Sequence, residues 1–362
     1  MPAIERVDVS AYTIPTDAPE SDGTLRWDST TLVLVEASAD GVTGIGYSYA
    51  HEAAAVVVER LLAHVVTGMG TLSIPGAWSA MVRAVRNAGR PGIAATAISA
   101  VDVALWDLKA RLLELPLCDL LGRARDAVPV YGSGGFTSYD AARLRAQLEG
   151  WVGSGITRVK MKVGRDPVAD VERVRVARDA IGSSAELYVD ANGAYDRKQA
   201  LALAGEFREY GVTWFEEPVS SDDLDGLRLI RDRAPAGMEI AAGEYGYDPS
   251  YFGRMLEAGA VDVLQADATR CLGITGFMDV AALCRAFHVP LSSHTAPSLH
   301  LHVGVATDVV RHLEYFHDHA RIEQMLFDGA VVPEHGEFRP DLSRPGLGLE
   351  LRRTDAERFR SR

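Results

Sequence analysis

Residues 158–217 decide the fold, and they read RVKMKVGRDPVADVERVRVARDAIGSSAELYVDANGAYDRKQALALAGEFREYGVTWFEE. Short apolar stretches rich in β-branched residues alternate here with amphipathic segments of helix length. Strands are predicted at 158–164, 186–191 and 213–217, and helices at 167–181 and 197–210. Each of the first two strands is followed by a helix and then by another strand, which is the pattern of a parallel sheet.

The same alternation continues on both sides of this stretch. Five further strands are predicted at 128–134, 239–244, 261–266, 290–295 and 312–316, and helices at 138–153, 221–233, 249–258, 273–287 and 299–306. Eight such strands within about 190 residues predict a (β/α)8 barrel of the TIM type. An open, doubly wound sheet is the alternative, but no GxGxxG opens the first unit, which disfavours a dinucleotide-binding sheet.

The residues before the barrel predict a smaller domain of a different kind. β-branched residues are frequent in 4–14, 30–38 and 42–50, and Asp40-Gly41 is a hairpin signal, so we expect an antiparallel sheet. The pattern then turns helical from 51 to about 122, and strands followed by helices indicate an α+β domain. We therefore divide the chain into an α+β domain (1–125), the barrel (126–327) and a C-terminal segment rich in Pro and Gly (328–362).

Composition excludes several classes of partner. The 362 residues include 37 basic and 50 acidic side chains, which gives a formal net charge of -13. This balance disfavours nucleic acid and anionic membrane surfaces, because both require clustered Lys and Arg, but it leaves a small anionic substrate open. The three cysteines show no paired spacing, so we expect a reducing, cytoplasmic compartment. We also expect no signal peptide and no membrane span.

Carboxylates end three successive predicted strands of the barrel. Asp190, Glu216 and Glu244 lie 26 and 28 residues apart, which is one βα unit in each case. Active sites of such barrels form where the carboxyl ends of the strands meet, and three converging carboxylates repel one another unless a cation lies between them. Oxygen ligands favour Mg²⁺ over zinc. The alternative is that each residue caps a helix or lies in a solvated loop.

Two lysines occur on the strand before these carboxylates. Lys160 and Lys162 flank Met161, and residues two apart in a strand face the same side. Two inward lysines are costly unless they serve a cluster of negative charge at the mouth of the barrel. We expect a nearby cation, together with the positive charge of the other lysine, to lower the pKa of a lysine towards the range in which it can act as a base. Alternatively both could point outward, but Val159 and Val163 form an apolar set better suited to that side.

An aspartate and a histidine occupy the next two strands. Asp267 and His294 lie 27 residues apart, again one unit, so they could hydrogen-bond and make the histidine a general base or acid. The alternative is a histidine buried for structural reasons. Glu314 on the eighth strand could hydrogen-bond an oxygen on which charge develops, or it could be a structural partner of Lys160.

In combination, these motifs resemble the enolase superfamily and, within it, the mandelate racemase subgroup. The matching motifs are VKMKVG, VDANGAY, FEEP, AAGE, QADATR, SSHTAP and HLEYF. The resemblance covers essentially the whole chain and implies that the N-terminal domain caps the barrel, with the C-terminal PGLGLEL returning to the cap. The absence of a lysine on strand six argues against the muconate cycloisomerase and dipeptide epimerase branches.

The resemblance also implies the roles of individual residues. Asp190, Glu216 and Glu244 would bind Mg²⁺, with Asn192 as an auxiliary polar residue beside the metal. Residues 15–30 and 47–53 match two cap loops that close over substrate. The candidate catalytic residues are Lys160, Lys162, Asp267, His294 and Glu314, and the candidate substrate contacts in the cap loops are Arg26, Trp27, Tyr47, Tyr49 and His51. The alternative for the five cap residues is ordinary loop surface.

The implied chemistry is removal of a proton α to a carboxylate. Lys162 and His294 would lie on opposite faces of the bound carbon, and Lys160 and Glu314 would stabilise the enediolate. Polar cap loops favour a Mg²⁺-dependent dehydratase of a sugar acid, a small polyhydroxylated anion. A racemase or epimerase of a 2-hydroxy acid is the second hypothesis, and a catalytically silent barrel that binds metal and ligand is the third. We also expect a homo-oligomer.

Overall fold

The N-terminal domain is built on a three-stranded antiparallel sheet. The structure is a computed structural model that describes residues 2–362. The sheet contains β1 (Arg6–Ser21), β2 (Arg26–Ala39) and β3 (Val42–Tyr49), in that order. Asp40 and Gly41 form the turn between β2 and β3, and both have positive φ, as a tight hairpin requires.

The hairpin of β1 and β2 is longer than predicted. Pairing continues to Ser21 opposite Arg26, with a bulge between Pro15 and Glu20, so residues 15–30 are mostly strand and not a loop. Proline and small polar residues suggested that the strand ends early. The tip is held by the barrel instead, because Ser21 Oγ lies 2.6 Å from Thr137 Oγ1.

The rest of this domain is helical. Its helices are α1 (Ala53–Val57), a π-helical turn (Val58–Leu62), α2 (Ala63–Val66), α3 (Ile74–Ala84), α4 (Ile93–Leu112) and α5 (Leu117–Leu121). The long helix α4 packs directly on β3, where Gly44 and Gly46 leave room for it. A Cβ atom on Gly46 would lie 2.3 Å from the backbone oxygen of Ala100.

The second domain is a closed barrel of eight parallel strands. They are β4 (Val128–Gly134), β5 (Arg158–Lys162), β6 (Glu186–Asp190), β7 (Val212–Glu216), β8 (Glu239–Ala242), β9 (Val263–Ala266), β10 (Leu291–Ser293) and β11 (Val310–Phe316). Strand β11 pairs with β4 and closes the barrel. The predicted (β/α)8 fold is therefore confirmed, and the open-sheet alternative is wrong.

One helix follows each strand of the barrel. They are α6 (Ala141–Gly153), α7 (Pro167–Ile181), α8 (Arg197–Arg208), α9 (Leu224–Arg233), α10 (Pro249–Glu257), α11 (Gly273–Phe287), α12 (Pro297–Ala306) and α13 (His317–Leu326). Helix α13 was not among the predicted segments. Five helices begin with an aspartate whose side chain accepts a backbone N–H in the first turn, namely Asp140, Asp166, Asp196, Asp223 and Asp248.

Aromatic rings fill the barrel below its mouth. Tyr188 stacks on Trp214 with ring centroids 5.2 Å apart, and Tyr131 lies 5.6 Å from Tyr188. The alternate residues of β5, including Val159 and Met161, belong instead to the large core between strands and helices. A packed interior places the polar residues of the barrel at its mouth.

The C-terminal segment runs back along the barrel to the first domain. It contains β12 (Phe327–Asp328), β13 (Glu337–Phe338), β14 (Glu350–Leu351), α14 (Arg353–Ala356) and a 3₁₀ turn (Glu357–Phe359). Strand β13 pairs antiparallel with β4, and β12 pairs with β14. The backbone N–H of Ala11 donates to the carbonyl of Arg362 at 2.9 Å, which joins the two chain ends. Over residues 2–362, no helix combines the length and apolar character needed to cross a membrane.

Candidate active site

Three carboxylates converge at the mouth of the barrel. Asp190 and Glu216 are the last residues of β6 and β7, and Glu244 follows β8 by two residues. All three are buried, and each places an oxygen within 4.8 Å of the others. The helices that follow these strands are capped by other aspartates, so the helix-cap alternative for this triad is wrong.

The triad fits a hard divalent cation. Its ligand atoms are all carboxylate oxygens, the donor type that Mg²⁺ prefers. Glu244 Oε2 is buried and accepts no hydrogen bond from the described residues, and the same is true of Asn192 Oδ1. Unpartnered buried oxygens are costly, so a cation beside them would satisfy atoms that the protein leaves free.

Both lysines of β5 point into this cluster. Lys160 Nζ lies 2.6 Å from Glu216 Oε1, 2.8 Å from Glu314 Oε1 and 3.7 Å from Asp190 Oδ2. Lys162 Nζ hydrogen-bonds the same oxygen of Asp190. The predicted inward orientation is confirmed, and the two ammonium groups offset part of the buried negative charge.

The expected lowering of the Lys162 pKa is not seen. Burial works to lower this pKa, but the charges of Asp190, Glu244 and Glu216 together outweigh burial and raise it above the usual value for lysine. The expectation placed a cation closest to the lysine, whereas its nearest charged neighbour is a carboxylate. A cation held by Asp190 would compete with Lys162 for that oxygen.

Glu314 is bonded as an ionised carboxylate. Besides Lys160, its Oε2 accepts the backbone N–H of Thr295 at 2.7 Å. Burial opposes ionisation, but Lys160 and the other nearby charges hold the Glu314 pKa below its usual range. Of the two roles considered for Glu314, the contact with Lys160 is present in the structure, and a role towards substrate stays a prediction.

His294 forms the predicted pair with Asp267. His294 Nδ1 lies 2.9 Å from Asp267 Oδ2, and the other ring nitrogen, Nε2, lies 3.3 Å from Glu244 Oε2. Asp267 is fixed in turn by the backbone N–H of Thr269, which donates to its Oδ1 at 2.7 Å. The aspartate therefore orients the imidazole and leaves Nε2 directed towards the triad.

Strained backbone accompanies these side chains. Asn192, Glu217, Thr295 and Ala296 have φ values of 46°, 39°, 49° and 40°, in the left-handed region that non-glycine residues seldom adopt. All four follow the ends of barrel strands. Hydrogen bonds hold the strained segments in place, as where the N–H of Asn192 donates to Asp190 Oδ1 at 2.9 Å. Such clusters of strain are typical of functional sites.

A cavity of about 560 Å³ opens between the cap and these residues. Lys162, Glu244 and His294 form its floor, and the side chains of the cap form its roof. Its polar lining also includes the cap residues Ser29, Thr30 and Thr31, with Thr295, His319 and Arg270 from the barrel. Polar side chains therefore occur on both sides of the cavity, beside apolar ones such as Leu25 and Phe316.

Three of the five predicted cap contacts line this cavity: Trp27, Tyr49 and His51. The expectation is wrong for the other two. Arg26 is exposed and lies on the opposite face of β2 from Trp27, because neighbouring strand residues point to opposite sides. Tyr47 is fully buried below the cavity, where its hydroxyl donates to Glu323 Oε1 at 2.7 Å.

Arg270 is a site residue that sequence reasoning missed. Its guanidinium donates to the backbone oxygen of Glu244 at 3.1 Å and lies 3.6 Å from Asp267 Oδ2. It therefore places positive charge beside a triad member and beside the partner of His294. Its position three residues after Asp267, just beyond the carboxyl end of a barrel strand, could have identified it as a site residue from the sequence.

The capped barrel and the triad at its mouth define a protein of the enolase superfamily. Residues 12–122 match the family model of the mandelate racemase / muconate lactonizing enzyme N-terminal domain, and residues 143–356 match the model described as enolase C-terminal domain-like. The chain belongs to the mandelate racemase / muconate lactonizing enzyme family.

Characterised relatives act on sugar acids. The chain is 34% identical over 357 residues to 3,6-anhydro-alpha-L-galactonate cycloisomerase of Streptomyces coelicolor, covering 96% of this chain and 97% of that protein. It is 32% identical over 325 residues to L-talarate/galactarate dehydratase of Salmonella typhimurium, covering 86% and 81%. Other relatives are dehydratases of arabinonate, rhamnonate and gluconate.

Solved structures agree with this assignment. A mandelate racemase/muconate lactonizing enzyme-like protein from Rubrobacter xylanophilus superposes with a TM-score of 0.98 at 58% identity, over 99% of this chain and 100% of that one. A racemase from Streptomyces coelicolor, solved with bound magnesium, gives a TM-score of 0.92 at 33% identity over 99% of each chain.

Proposed function

We propose that the protein is a Mg²⁺-dependent dehydratase of a sugar acid. The observation that carries the proposal is the placement of two proton-transfer groups, Lys162 and His294, on the floor of one cavity beside the carboxylate triad. Bound by Asp190, Glu216 and Glu244, Mg²⁺ would supply positive charge to the carboxylate oxygens of the substrate. The relative solved with magnesium supports this choice of metal.

The first step is removal of the proton on the α carbon. This proton is weakly acidic, because its loss places a second negative charge on the substrate carboxylate. The base, either His294 or Lys162 after it has lost its own proton, takes the proton, and the electrons of the C–H bond form an enediolate. Lys160 contributes fixed positive charge beneath the triad, 2.6 Å from Glu216, which stabilises negative charge that develops above it.

The second step breaks the bond between the β carbon and its oxygen. The electrons of the enediolate form the α,β double bond while an acid protonates the departing hydroxyl, so water leaves and an enol remains. The enol then takes a proton on its β carbon and loses the proton of its hydroxyl, which gives a 2-keto-3-deoxy acid. His294 is suited to these proton transfers, because Asp267 binds its Nδ1 and leaves Nε2 directed towards the triad.

The cavity lining favours a polyhydroxylated substrate. The cap hairpin contributes Ser29, Thr30 and Thr31 to the lining, and Arg270 lies on the barrel side. Such groups match a chain of hydroxyls better than they match an apolar side chain. The dehydratases among the relatives support the same substrate class.

A cycloisomerase of an anhydro or lactone sugar acid is the second candidate. It is favoured by the 34% identity to a 3,6-anhydrogalactonate cycloisomerase across 96% of the chain. In a 3,6-anhydro acid the β oxygen belongs to a ring. The same proton abstraction and C–O cleavage would open that ring, and the oxygen would remain attached as a hydroxyl, with no loss of water.

The test is incubation of the protein and Mg²⁺ with hexonic, pentonic and aldaric acids and with anhydro and lactone forms. Proton NMR in D₂O would follow α-deuterium, and a keto-acid assay would follow product. A 2-keto-3-deoxy product from an open-chain acid supports the dehydratase, and the same product only from a ring form supports the cycloisomerase. Incorporation of deuterium at the α carbon with inversion of that centre, and no keto product, indicates a racemase. Metal binding without exchange of the α proton indicates a catalytically silent barrel.

We predict that Lys162→Ala and His294→Asn each lower kcat by about 100-fold or more, the range for loss of a positioned proton-transfer group. Exposed Lys198 provides a matched control, and Lys198→Ala should keep full activity. Calorimetric titration with Mg²⁺ should show that both site variants still bind metal. Full activity in either one would remove that residue from the mechanism.

A further inference from the structure

A second group of possible metal ligands lies outside the active site, between the cap hairpin and the barrel. Asp17 and Glu20 belong to β1, and His317 is the first residue of α13, directly after barrel strand β11. One ligand atom of each residue lies within 4.8 Å of those of the other two. His317 Nε2 is 3.2 Å from Asp17 Oδ2.

Glu20 supplies the observation that points to a ligand. Its side chain is fully buried, and only one of its two oxygens has a partner. Oε2 accepts the indole N–H of Trp27 at 2.8 Å, while Oε1 accepts no hydrogen bond from the described residues. A buried carboxylate oxygen without a donor is costly, and either a proton or a cation must relieve that cost.

The neighbouring arginines do not neutralise Glu20. Arg143 bonds the other oxygen of Asp17, Oδ1, at 3.2 Å, and Arg321 bonds Asp318 at 2.6 Å and the carbonyl of Pro15 at 2.7 Å. Both arginines thus pair with other residues, and among the described residues Glu20 has no ion pair with a lysine or an arginine.

We propose that Asp17, Glu20 and His317 form a second cation site, which binds a divalent transition metal such as Zn²⁺. One imidazole and two carboxylates are a ligand set that suits Zn²⁺ better than Mg²⁺, which seldom takes nitrogen ligands. Asp17 and His317 are partly exposed, and His317 also lines a surface hollow of about 370 Å³, so the metal can enter from solvent. The fourth ligand would be water.

A metal at this site would join the cap to the barrel beside the active site. The Glu20 carboxylate would then bind the metal through Oε1 and the Trp27 indole through Oε2. Trp27 lines the catalytic cavity, and its ring packs edge-on against Phe136 at 5.6 Å. The site thus fixes one wall of the cavity without contacting the substrate, and this role is independent of the reaction proposed above.

The test starts from the full-length protein stripped of metal. Mg²⁺ is added in excess, and Co²⁺ is then added as a spectroscopic substitute for Zn²⁺. Equilibrium dialysis with metal analysis gives the number of bound Co²⁺ ions, and visible absorption reports their ligands. We expect Glu244→Gln to lose any Co²⁺ held at the triad and to retain one bound ion. His317→Gln and Glu20→Gln should bind that ion about tenfold more weakly or worse.

His64, which is exposed on α2, is the matched control, and His64→Gln should bind Co²⁺ as the wild type does. Circular dichroism in metal-free buffer checks that each variant is folded, and Glu20→Gln keeps the test valid if His317→Gln does not fold. Equal Co²⁺ binding by the wild type and both cluster variants would overturn the proposal. Loss of all Co²⁺ in Glu244→Gln would overturn it as well.

Discussion

Lys160 balances the charge of the barrel mouth. It is fully buried and lies within 3.7 Å of three carboxylates, those of Asp190, Glu216 and Glu314. Replacing it by an apolar residue of similar length would leave these carboxylates with Lys162 as their nearest remaining cation. Removing one partner of a buried ion pair typically costs about 3–5 kcal/mol.

We therefore predict that Lys160→Met lowers the free energy of unfolding by about 3–5 kcal/mol in the absence of metal. Added Mg²⁺ should restore part of this loss, because the cation offsets the same carboxylates. Urea unfolding with and without Mg²⁺ measures both effects. A variant as stable as the wild type without metal would show that the carboxylates are protonated rather than paired.

Tyr47 and Tyr49 have different roles although they occupy the same face of β3. Tyr47 donates to buried Glu323, whereas Tyr49 lines the cavity and stacks on His319 with ring centroids 3.4 Å apart. We predict that Tyr47→Phe lowers the free energy of unfolding by about 1–2 kcal/mol, since it leaves Glu323 with one donor fewer. Its KM should not change.

Tyr49→Ala, in contrast, should raise KM, because it removes part of the cavity wall. Steady-state kinetics and thermal unfolding of both variants check this division. An increased KM in Tyr47→Phe with unchanged stability would mean that the hydroxyl reaches the substrate after all.

The sequence could predict the residues of the barrel mouth but not all those of the cap. Alternation along β5 settled that both lysines point inward, and spacing by one βα unit placed the triad and the pair of Asp267 and His294. Alternation could not separate Tyr47 from Tyr49, since both face the barrel. Their different depths depend on how the cap is docked, and that is a property of tertiary contacts.

At the scale of elements, α4 can pack closely against β3 because Gly44 and Gly46 have no side chains. A Cβ atom at Gly46 would lie 2.3 Å from both Ala100 O and Ala104 N in the backbone of α4. Neither atom can move without shifting the helix. The hairpin residues that form the cavity roof belong to the same sheet, so the fit of α4 also fixes the position of that roof.

We predict that Gly46→Ala lowers the free energy of unfolding by about 1–3 kcal/mol, the range for overpacking a close contact. Gly205 is a control in the interior of α8, where an added Cβ meets no atom within 4 Å. Gly205→Ala should raise stability by about 0.5–1 kcal/mol, since alanine favours helices. Denaturant unfolding measures both effects. If Gly46→Ala were as stable as Gly205→Ala, the close-packing explanation would be refuted.

Element boundaries were harder to predict than element types. The alternation of strands and helices was clear over most of the barrel, because most of its helices have an amphipathic pattern; α12, in contrast, is buried on all sides, and α13 was not predicted. The β1–β2 hairpin was predicted too short, since Pro15 and the polar residues after it look like a loop in isolation. Contacts with the barrel, such as Thr137 N–H donating to the Ser21 carbonyl at 2.8 Å, keep these residues extended.

For the whole molecule, buried acids should make stability depend on pH. Asp102 lies in α4 and accepts hydrogen bonds from the backbone and hydroxyl of Thr275, while burial raises its pKa to about 7. An acid whose pKa is higher in the folded state binds its proton more tightly there. Stability is then greatest below the unfolded pKa and declines as pH rises towards the folded pKa.

We predict that Asp102 lowers the free energy of unfolding by up to about 1.4 kcal/mol per pH unit between pH 5 and pH 7, while buried histidines with lowered pKa values, such as His302 and His312, contribute in the opposite direction. Glu323, whose pKa burial also raises to about 7, adds to this slope. Asp102→Asn should be less stable at pH 5 but should lose stability less steeply. Urea unfolding at several pH values, in metal-free buffer, checks the slope, and an unchanged slope would exclude Asp102 as a source.

Because β11 closes the barrel onto β4, the barrel cannot close during synthesis until β11 has been made. These strands are separated by about 180 residues, which a ribosome adds in roughly 10 to 35 seconds. Throughout that interval β4 has an unpaired edge, and the nascent cap lacks His319, against which Tyr49 stacks. The catalytic cavity is thus completed only near the end of translation, and a chaperone that shields the β4 edge would act on this protein in that interval.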